Sequence, residues 1–402
     1  MKTINKIIPI TLGYIIPLIA GCNKELPVAS FNCPNTVGIG DTVYFQNTSE
    51  GANTFGWDFG DGTGSTEENP SHFYTERDSY TILLVATNED GSDETSRDIL
   101  ITPWGTRALM PTARLGMGAA VVDGKVYVIG GFKDETSILD VVEVYDPVAN
   151  SWNTKTPMPT ARGGFGCAVV DGKIYAIGGT ECGVVHLSIV EVYDPATDSW
   201  DNSTIIPMPT ARNGAAACTV NGKIYVIGGT CQTGSLAWAG ISTVEEYDPA
   251  TNTWTTKQNK PTPGWGLRAC VLEGKIYVTG GNVQYPNISA VLEVYDPVKD
   301  EWEIKASMPE AKYSHSICAL NERIYSFGGW DNCATGPFYK KVEVYNPTTD
   351  IWTQGSDIPL TLGELSAVAV GNKIYIMGGT NTLHPFTRVS NVYEYMYEYE
   401  AL

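Results

Sequence analysis

The stretch Lys173–Gly179, KIYAIGG, recurs with small changes as far as the C-terminus. The other copies are KVYVIGG at Lys125–Gly131, KIYVIGG at Lys223–Gly229, KIYVTGG at Lys275–Gly281, RIYSFGG at Arg323–Gly329 and KIYIMGG at Lys373–Gly379. Their first glycines, Gly130, Gly178, Gly228, Gly280, Gly328 and Gly378, lie 48, 50, 52, 48 and 50 residues apart. Six copies at such a period mean one supersecondary unit that buries its apolar face by stacking on the next, as in a propeller or solenoid. Each copy follows an apolar run with a tight turn (GCAVVDG, Gly166–Gly172), whose Asp-Gly or Asn-Gly pair suits a two-residue hairpin. Each precedes a segment such as VEVYDPATDSW (Val190–Trp200), with the tyrosine and tryptophan seven apart in Tyr145/Trp152, Tyr193/Trp200, Tyr247/Trp254, Tyr295/Trp302 and Tyr345/Trp352. The Asp-Pro between them starts a turn, because proline fixes φ and lacks the ladder donor. The unit is four short strands, a to d.

The paired glycine, the VEVYDP segment and the spaced tyrosine and tryptophan resemble kelch repeats over Pro103–Leu402. The resemblance implies a six-bladed β-propeller over residues 103–402. Counted to Tyr393, the b-to-c connection of the last copy is 15 residues, as in blades one, two and four, against 19 in blade three and 17 in blade five. After Ser390–Glu400 the chain ends where a tryptophan strand is due. Trp104 stands ten residues before Arg114 as Trp152 does before Arg162, so Pro103–Ala108 is expected to supply strand d of blade six. Closure of this kind leaves no free edge between first and last blades.

Between Leu26 and Thr102 short alternating segments separated by Gly, Asn and Asp argue a β-sandwich, so the fold class is all-β. Trp57-Asp58-Phe59-Gly60-Asp61-Gly62, followed by His72-Phe73-Tyr74, resembles a PKD domain, an immunoglobulin-like module, over residues 27–102. The resemblance implies a spacer or contact module. Asp58 and Asp61 read as turn residues, because calcium wants six to eight oxygens and the segment offers few. No Gly/Ser linker follows, so a semi-rigid stalk is expected.

Lys2 and Lys6 precede an apolar stretch, Ile7–Ala20, too short for the roughly 20 residues that span a bilayer and interrupted by Pro9 and Pro17. It reads as an export signal over residues 1–21. Its ending, Leu18-Ile19-Ala20-Gly21-Cys22, resembles the bacterial lipobox, which implies lipid on Cys22 as the first mature residue, a short tether over residues 22–26, and a place on the outer membrane, the cell surface or the periplasmic side of the envelope. Membrane contact is then through lipid only, and a monomer is expected. The whole chain carries a formal charge of −19; without Lys2 and Lys6 it falls to −21, which argues against nucleic acid as a partner. Cys218, Cys270 and Cys318 occupy the small apolar position filled elsewhere by Ala120, Ala168 and Val368, so packed thiols are expected. Cys182, Cys231 and Cys333 fall in loops, and a Cys182–Cys231 disulfide would join neighbouring blades. No Cys-x-x-Cys pair or His-rich spacing indicates a metal, and no cofactor is expected.

In up-and-down blades the d-to-a and b-to-c connections share one face, and variation gathers there, with Trp238 in blade three and Trp330, Phe338 and Tyr339 in blade five. Variable loops on a regular scaffold are where binding residues sit. Sixteen residues before each first glycine stand Arg114, Arg162, Arg212, Gly264, Lys312 and Leu362. Two readings stand: each cation ties a loop to a carboxylate of a neighbouring blade, which the repetition favours, or the set forms an anion-binding rim, which the kelch resemblance supports because the arginine opening strand a often lines the ligand face there. Four residues further on, Arg268 is alone among Gly118, Gly166, Ala216, Ser316 and Ser366, and packing alone does not call for it. Trp265 is placed to stack on a sugar. Arg268, Glu364 and His315 form the alternative, catalytic set.

Three functions follow. The first is an anchored exported binding protein for a protein or glycan ligand, contacting Arg114, Arg162, Arg212, Arg268, Trp265, Trp238, Trp330 and Tyr339. The second is an enzyme like the sialic acid mutarotases, which are also six-bladed exported kelch propellers; the third is a scaffold. Galactose oxidase-like copper chemistry needs two tyrosines and two histidines, and the propeller has only His186, His315 and His384.

Overall fold

The computed structural model describes residues 24–134, 137–181, 185–231, 239–284, 286–331, 338–382 and 387–396; Cys22, Cys182, Trp238 and Cys333 lie outside them. Among the described residues every regular element is a β-strand. Two compact units emerge, one of residues up to Thr36 with Thr42–Tyr74 and Asp78–Leu100, the other of Val37–Asp41, Thr75–Arg77 and Ile101–Leu402.

In the smaller unit, Thr54–Asp58 pairs with Ser79–Asn88, which pairs with Gly91–Thr102. Period-two alternation points Ile82, Leu84 and Ala86 inward, where they are fully buried. Trp57 sits edge-on to Phe31 at 5.1 Å and donates its indole N–H to Glu67 O at 2.9 Å, which satisfies a buried donor.

In the larger unit the repeat is a four-stranded antiparallel sheet. Blade one runs Gly118–Val122, Lys125–Ile129, Val142–Asp146 and Ser151–Lys155, and blades two to five follow the same order. The a-to-b hairpins turn on Asp123-Gly124, with φ of 49° and 71°, the left-handed pair that matches the twist of the flanking strands. The repeat's tyrosine and tryptophan are cross-strand partners, Tyr145 with Trp152 and likewise in blades two to five. Each tyrosine hydroxyl donates to the left-handed turn residue that follows, for example Tyr145 to Asn150 at 2.8 Å, so the turn and the strand pair brace each other. Six apolar clusters lie between successive blades, and the last joins Val126, Val128 and Tyr145 of blade one to Tyr375, Met377 and Val392 of blade six. Cys218, Cys270 and Cys318 are buried in these clusters as expected, and burial pushes the Cys218 and Cys318 thiols up to about 12.

Blade six consists of Ser366–Val370, Lys373–Met377, Val392–Met396 and, as its outer strand, Trp104–Arg107. Trp104 faces Tyr395 as Trp152 faces Tyr145, and its indole donates to Ser356 O at 3.1 Å, the counterpart of Trp152 donating to Ala108 O at 2.9 Å. One expectation needs correction. Ile374 pairs with Tyr395 as Val126 pairs with Tyr145, so the repeat's tyrosine in blade six is Tyr395, not Tyr393, and its b-to-c connection is 17 residues, as in blade five. Two tyrosines two apart fit the sequence count equally; cross-strand register separates them.

The strand from the N-terminal side is also held by charge. Arg107 donates Nε to Glu394 Oε2 at 3.1 Å and Nη2 to Oε1 at 2.9 Å, a two-pronged contact between the first and last strands of the ring. Burial alone would raise the Glu394 carboxyl, but hydrogen bonds from Arg107, Lys373 and Tyr375 outweigh it and hold the pKa at about 2. Its ordinary value is 4.5, so the unfolded chain binds the extra proton between these values. The stabilisation is therefore complete above about pH 5 and lost as pH falls towards 2, a loss of roughly 3 kcal/mol. Glu394→Gln is expected to lower the melting temperature at pH 7 and to flatten its acid dependence between pH 5 and 2; an unchanged acid profile in differential scanning calorimetry would contradict the assignment.

Candidate functional site

The d-to-a and b-to-c connections meet on one face, tied by bridges between Leu115 and Phe132, Gly163 and Thr180, Asn213 and Thr230, Trp265 and Asn282, Tyr313 and Trp330, and Gly363 and Thr380. On this face the expected rim of cations is not open to a ligand. Arg114, Arg162 and Arg212 are fully buried and form ion pairs with Glu143, Glu191 and Glu245. Each glutamate is on strand c of the same blade, not of a neighbouring one. The threonine of Met-Pro-Thr-Ala-Arg completes the arrangement, since Thr112, Thr160 and Thr210 donate to these glutamates at 2.7, 2.8 and 2.7 Å. Arg114 also donates to Gly130 O and Val141 O, so it holds the d-to-a loop, the paired glycine and the b-to-c loop together.

The other blades vary this design in pairs. Blade five has Lys312 with Glu343. Blade four, with Gly264 at the arginine position, brings Lys260 from four residues earlier onto Glu293. Blade six lacks both charges: Leu362 stands for the arginine and Tyr393 for the glutamate, and both are buried in one apolar cluster. Cation and anion are kept or exchanged together, because an ion left alone in the interior is far more costly than a pair or an apolar contact. The signal was in the sequence, as the glutamate of VEVYDP recurs in the five copies that carry an arginine or lysine at or just before the arginine position and is missing from the copy that carries neither.

Inside this ring lies a cavity of about 240 Å³ on the axis, lined by residues of all six blades. At its mouth six backbone hydrogen bonds form a closed collar. Gly116 N–H donates to Glu364 O (3.2 Å), Gly164 to Gly116 (2.9 Å), Gly214 to Gly164 (2.8 Å), Gly266 to Gly214 (2.8 Å), Ser314 to Gly266 (2.9 Å) and Glu364 to Ser314 (2.8 Å). All six adopt a left-handed backbone, with φ from 51° for Ser314 to 65° for Gly214. A ring closed by six single backbone links is narrow, suited to a small ligand or a chain end rather than to a folded partner.

Arg268 opens strand a of blade four and lines this cavity, where the equivalent residues are Gly118, Gly166, Ala216, Ser316 and Ser366. Its Nη1 donates to the Leu267 carbonyl at 3.0 Å, and among the described residues no carboxylate lies within ion-pairing distance. Burial pulls its guanidinium below the ordinary value, and the Glu364 charge opposes that shift. Glu364 lines the same cavity, with Oε1 accepting from Ser314 Oγ at 2.6 Å. Trp265 is half-buried at the cavity wall and meets Tyr313 edge-on at 5.6 Å.

The remaining candidates fall elsewhere. His315 is fully buried behind the wall, with Nε2 2.7 Å from Thr279 Oγ1 and its ring against Gly280; burial, then Lys312 and Arg268, push its imidazole well below the ordinary value. The chain alternates at Ser314-His315-Ser316, so the flanking serines line the cavity and the histidine cannot; of Arg268, Glu364 and His315, only the first two line it. Trp330 is not a surface platform, for it is buried between Tyr313 and Phe338 at 5.0 and 4.9 Å. Tyr339 does not line the cavity; it is half-buried, and burial, then its hydrogen bond to Asp331, raise its hydroxyl. Asp58 and Asp61 serve the PKD turn, accepting from Gly60 N at 2.9 Å and Thr63 N at 3.0 Å. The residues missed in the sequence are the collar glycines and Ser314, which stand in register two places after the arginine position.

Comparison with known proteins agrees with this architecture. The model of the KLHDC2/KLHL20/DRC7 Kelch-repeats domain matches residues 95–229 and 214–399, and that of the PKD domain matches residues 24–102. The chain belongs to the kelch-repeat family and carries a PKD domain ahead of its propeller. Among solved structures, one described as "Structure of YjhT" superposes with a TM-score of 0.65 at 15% identity, covering 73% of this chain and 98% of that one. That level of identity speaks for the shared fold alone. No curated protein sequence matches.

The paired exchange in blade six generates a test. Arg114→Leu alone strands Glu143 in the interior and is expected to cost about 3–5 kcal/mol. Arg114→Leu with Glu143→Tyr copies the blade-six arrangement and is expected to recover most of that loss in urea unfolding. A double variant no more stable than the single one would contradict the account.

Proposed function

We propose that this protein is an exported, lipid-anchored binding protein whose propeller recognises a glycan carrying an acidic group at the channel mouth, with the PKD domain as spacer. The observation that carries the reading is Arg268, a cation facing the cavity with no carboxylate in pairing distance among the described residues, while Arg114, Arg162, Arg212, Lys260 and Lys312 are closed off in buried pairs. A guanidinium fork in a desolvated site favours a carboxylate, and Trp265 adds an aromatic wall for a sugar ring. The collar favours a small ligand or the end of a glycan over a protein surface inside the channel, and a protein partner would be confined to the outer loops. Anchoring on Cys22 to the outer membrane or cell surface, as a monomer, completes the proposal.

A second reading follows from Arg268 and Glu364 sharing one cavity: an enzyme of the sugar mutarotase type, in which a carboxylate moves a proton at a ring oxygen while the arginine holds the acid group. The two are separable. Screening residues 23–402 on a glycan array is expected to return acidic glycans, with Arg268→Ala weakening them at least ~10-fold and Trp265→Ala weakening them less. If both variants bind as the parent does, the channel mouth is not the site. Accelerated anomeric exchange of N-acetylneuraminate in NMR would favour the enzyme instead. For the anchor, Cys22→Ser is expected to abolish incorporation of labelled palmitate and to release the protein from membranes; unchanged labelling would refute it.

A further inference from the structure

The collar needs only backbone. Four of its six residues are Gly116, Gly164, Gly214 and Gly266, which reach φ of 61–65° without steric penalty. The other two are Ser314 and Glu364, with φ of 51° and 56°, where a Cβ crowds the following carbonyl. These two stand side by side in blades five and six, and their side chains touch each other, Ser314 Oγ donating to Glu364 Oε1 at 2.6 Å. That bond is not needed to join the blades, since Glu364 N–H already donates to Ser314 O at 2.8 Å and the same backbone link holds between blades that carry only glycine. Both residues line the cavity that holds Arg268. Glu364 Oε2 accepts no hydrogen bond among the described residues, and it reaches over Gly116, where a Cβ would lie 3.8 Å from it. Strain retained at a cavity mouth, on the only two collar positions that present polar groups, marks a site where the side chain has a use.

We propose that Glu364, oriented by Ser314, is a specificity residue of the ligand site: Oε2 accepts a hydrogen bond from a ligand hydroxyl at the collar while Arg268 holds the ligand's acid group deeper in the cavity. The ligand class is then a hydroxylated acid of sugar size, and the polar side chains of the collar itself belong to blades five and six. The location rests on the ligand reading above; the stability consequence does not, because relief of left-handed strain is measured with no ligand present.

The experiment is thermal melting of residues 23–402 with and without millimolar D-glucuronate, N-acetylneuraminate or glucose. Glu364→Gly restores the residue of blades one to four and is expected to melt about 2 °C above the parent without ligand, whereas Glu364→Ala, which keeps the strain, melts below Glu364→Gly. Either sugar acid is expected to raise the parent's melting temperature more than glucose does, and that rise is lost in Glu364→Gly and in Arg268→Ala. A Glu364→Gly protein that melts below the parent would make the pair a structural tie and overturn the proposal. So would a Glu364→Gly protein that keeps its sugar-acid shift, and if Arg268→Ala loses the shift in that case, the acidic-ligand reading stands while the role of Glu364 falls. A parent that responds to neither acid overturns the ligand class.

Discussion

A propeller has no core that a single blade can own, so the pairing of its first strand with its last decides whether the other contacts close. Here Trp104–Arg107 completes the sheet of Val392–Met396, and the ring holds through backbone pairing, the Trp104 indole on Ser356, and the Arg107–Glu394 fork. With that strand in place blade six presents a full apolar face to blade five and to blade one, and all six interblade clusters exist. The axial cavity depends on the same closure, because its wall and its collar take a residue from every blade.

Buried charge has a structural role in this ring. In blades one and three the arginine, paired with its glutamate, pins two loops to the paired glycine and holds the connections of this face in one register. Interior ion pairs add little net stability over apolar contacts, which is why blade six can do without one, but they are sensitive to the loss of one member. This also explains why arginines repeated around a rim are poor evidence of ligand binding: repetition is what a scaffold contact requires. The informative cation is the one that breaks the pattern, Arg268, and the informative carboxylate is the one held in a backbone conformation better suited to glycine, Glu364.

Much of this was legible in the chain. Period, turn residues and the tyrosine–tryptophan spacing are local, and they specify four-stranded blades, six copies and the displaced outer strand, because pairing partners repeat at fixed distances. Packed thiols at Cys218, Cys270 and Cys318 follow from the small residues at the equivalent positions. Arg268 was visible as an exception to its repeat, since a departure from in-register small residues needs no coordinates to detect.

Tertiary structure alone decided which polar residues are available. Whether Arg114 meets solvent or Glu143 depends on a strand nearly thirty residues away folding back beside it, and nothing local to Met-Pro-Thr-Ala-Arg encodes that distance. His315 and Trp330 lie off the cavity for the same reason: which side of a strand or bridge faces the axis is set by cross-strand register. The collar is a property of the closed ring, since five of its hydrogen bonds join residues about fifty apart in sequence and the sixth joins Gly116 to Glu364, 248 residues away. The sequence by itself determined the repeating unit and its number, because these rest on local periodicity; only the closed fold decided which charges are paired and which face the cavity, because pairing is a matter of distance in space.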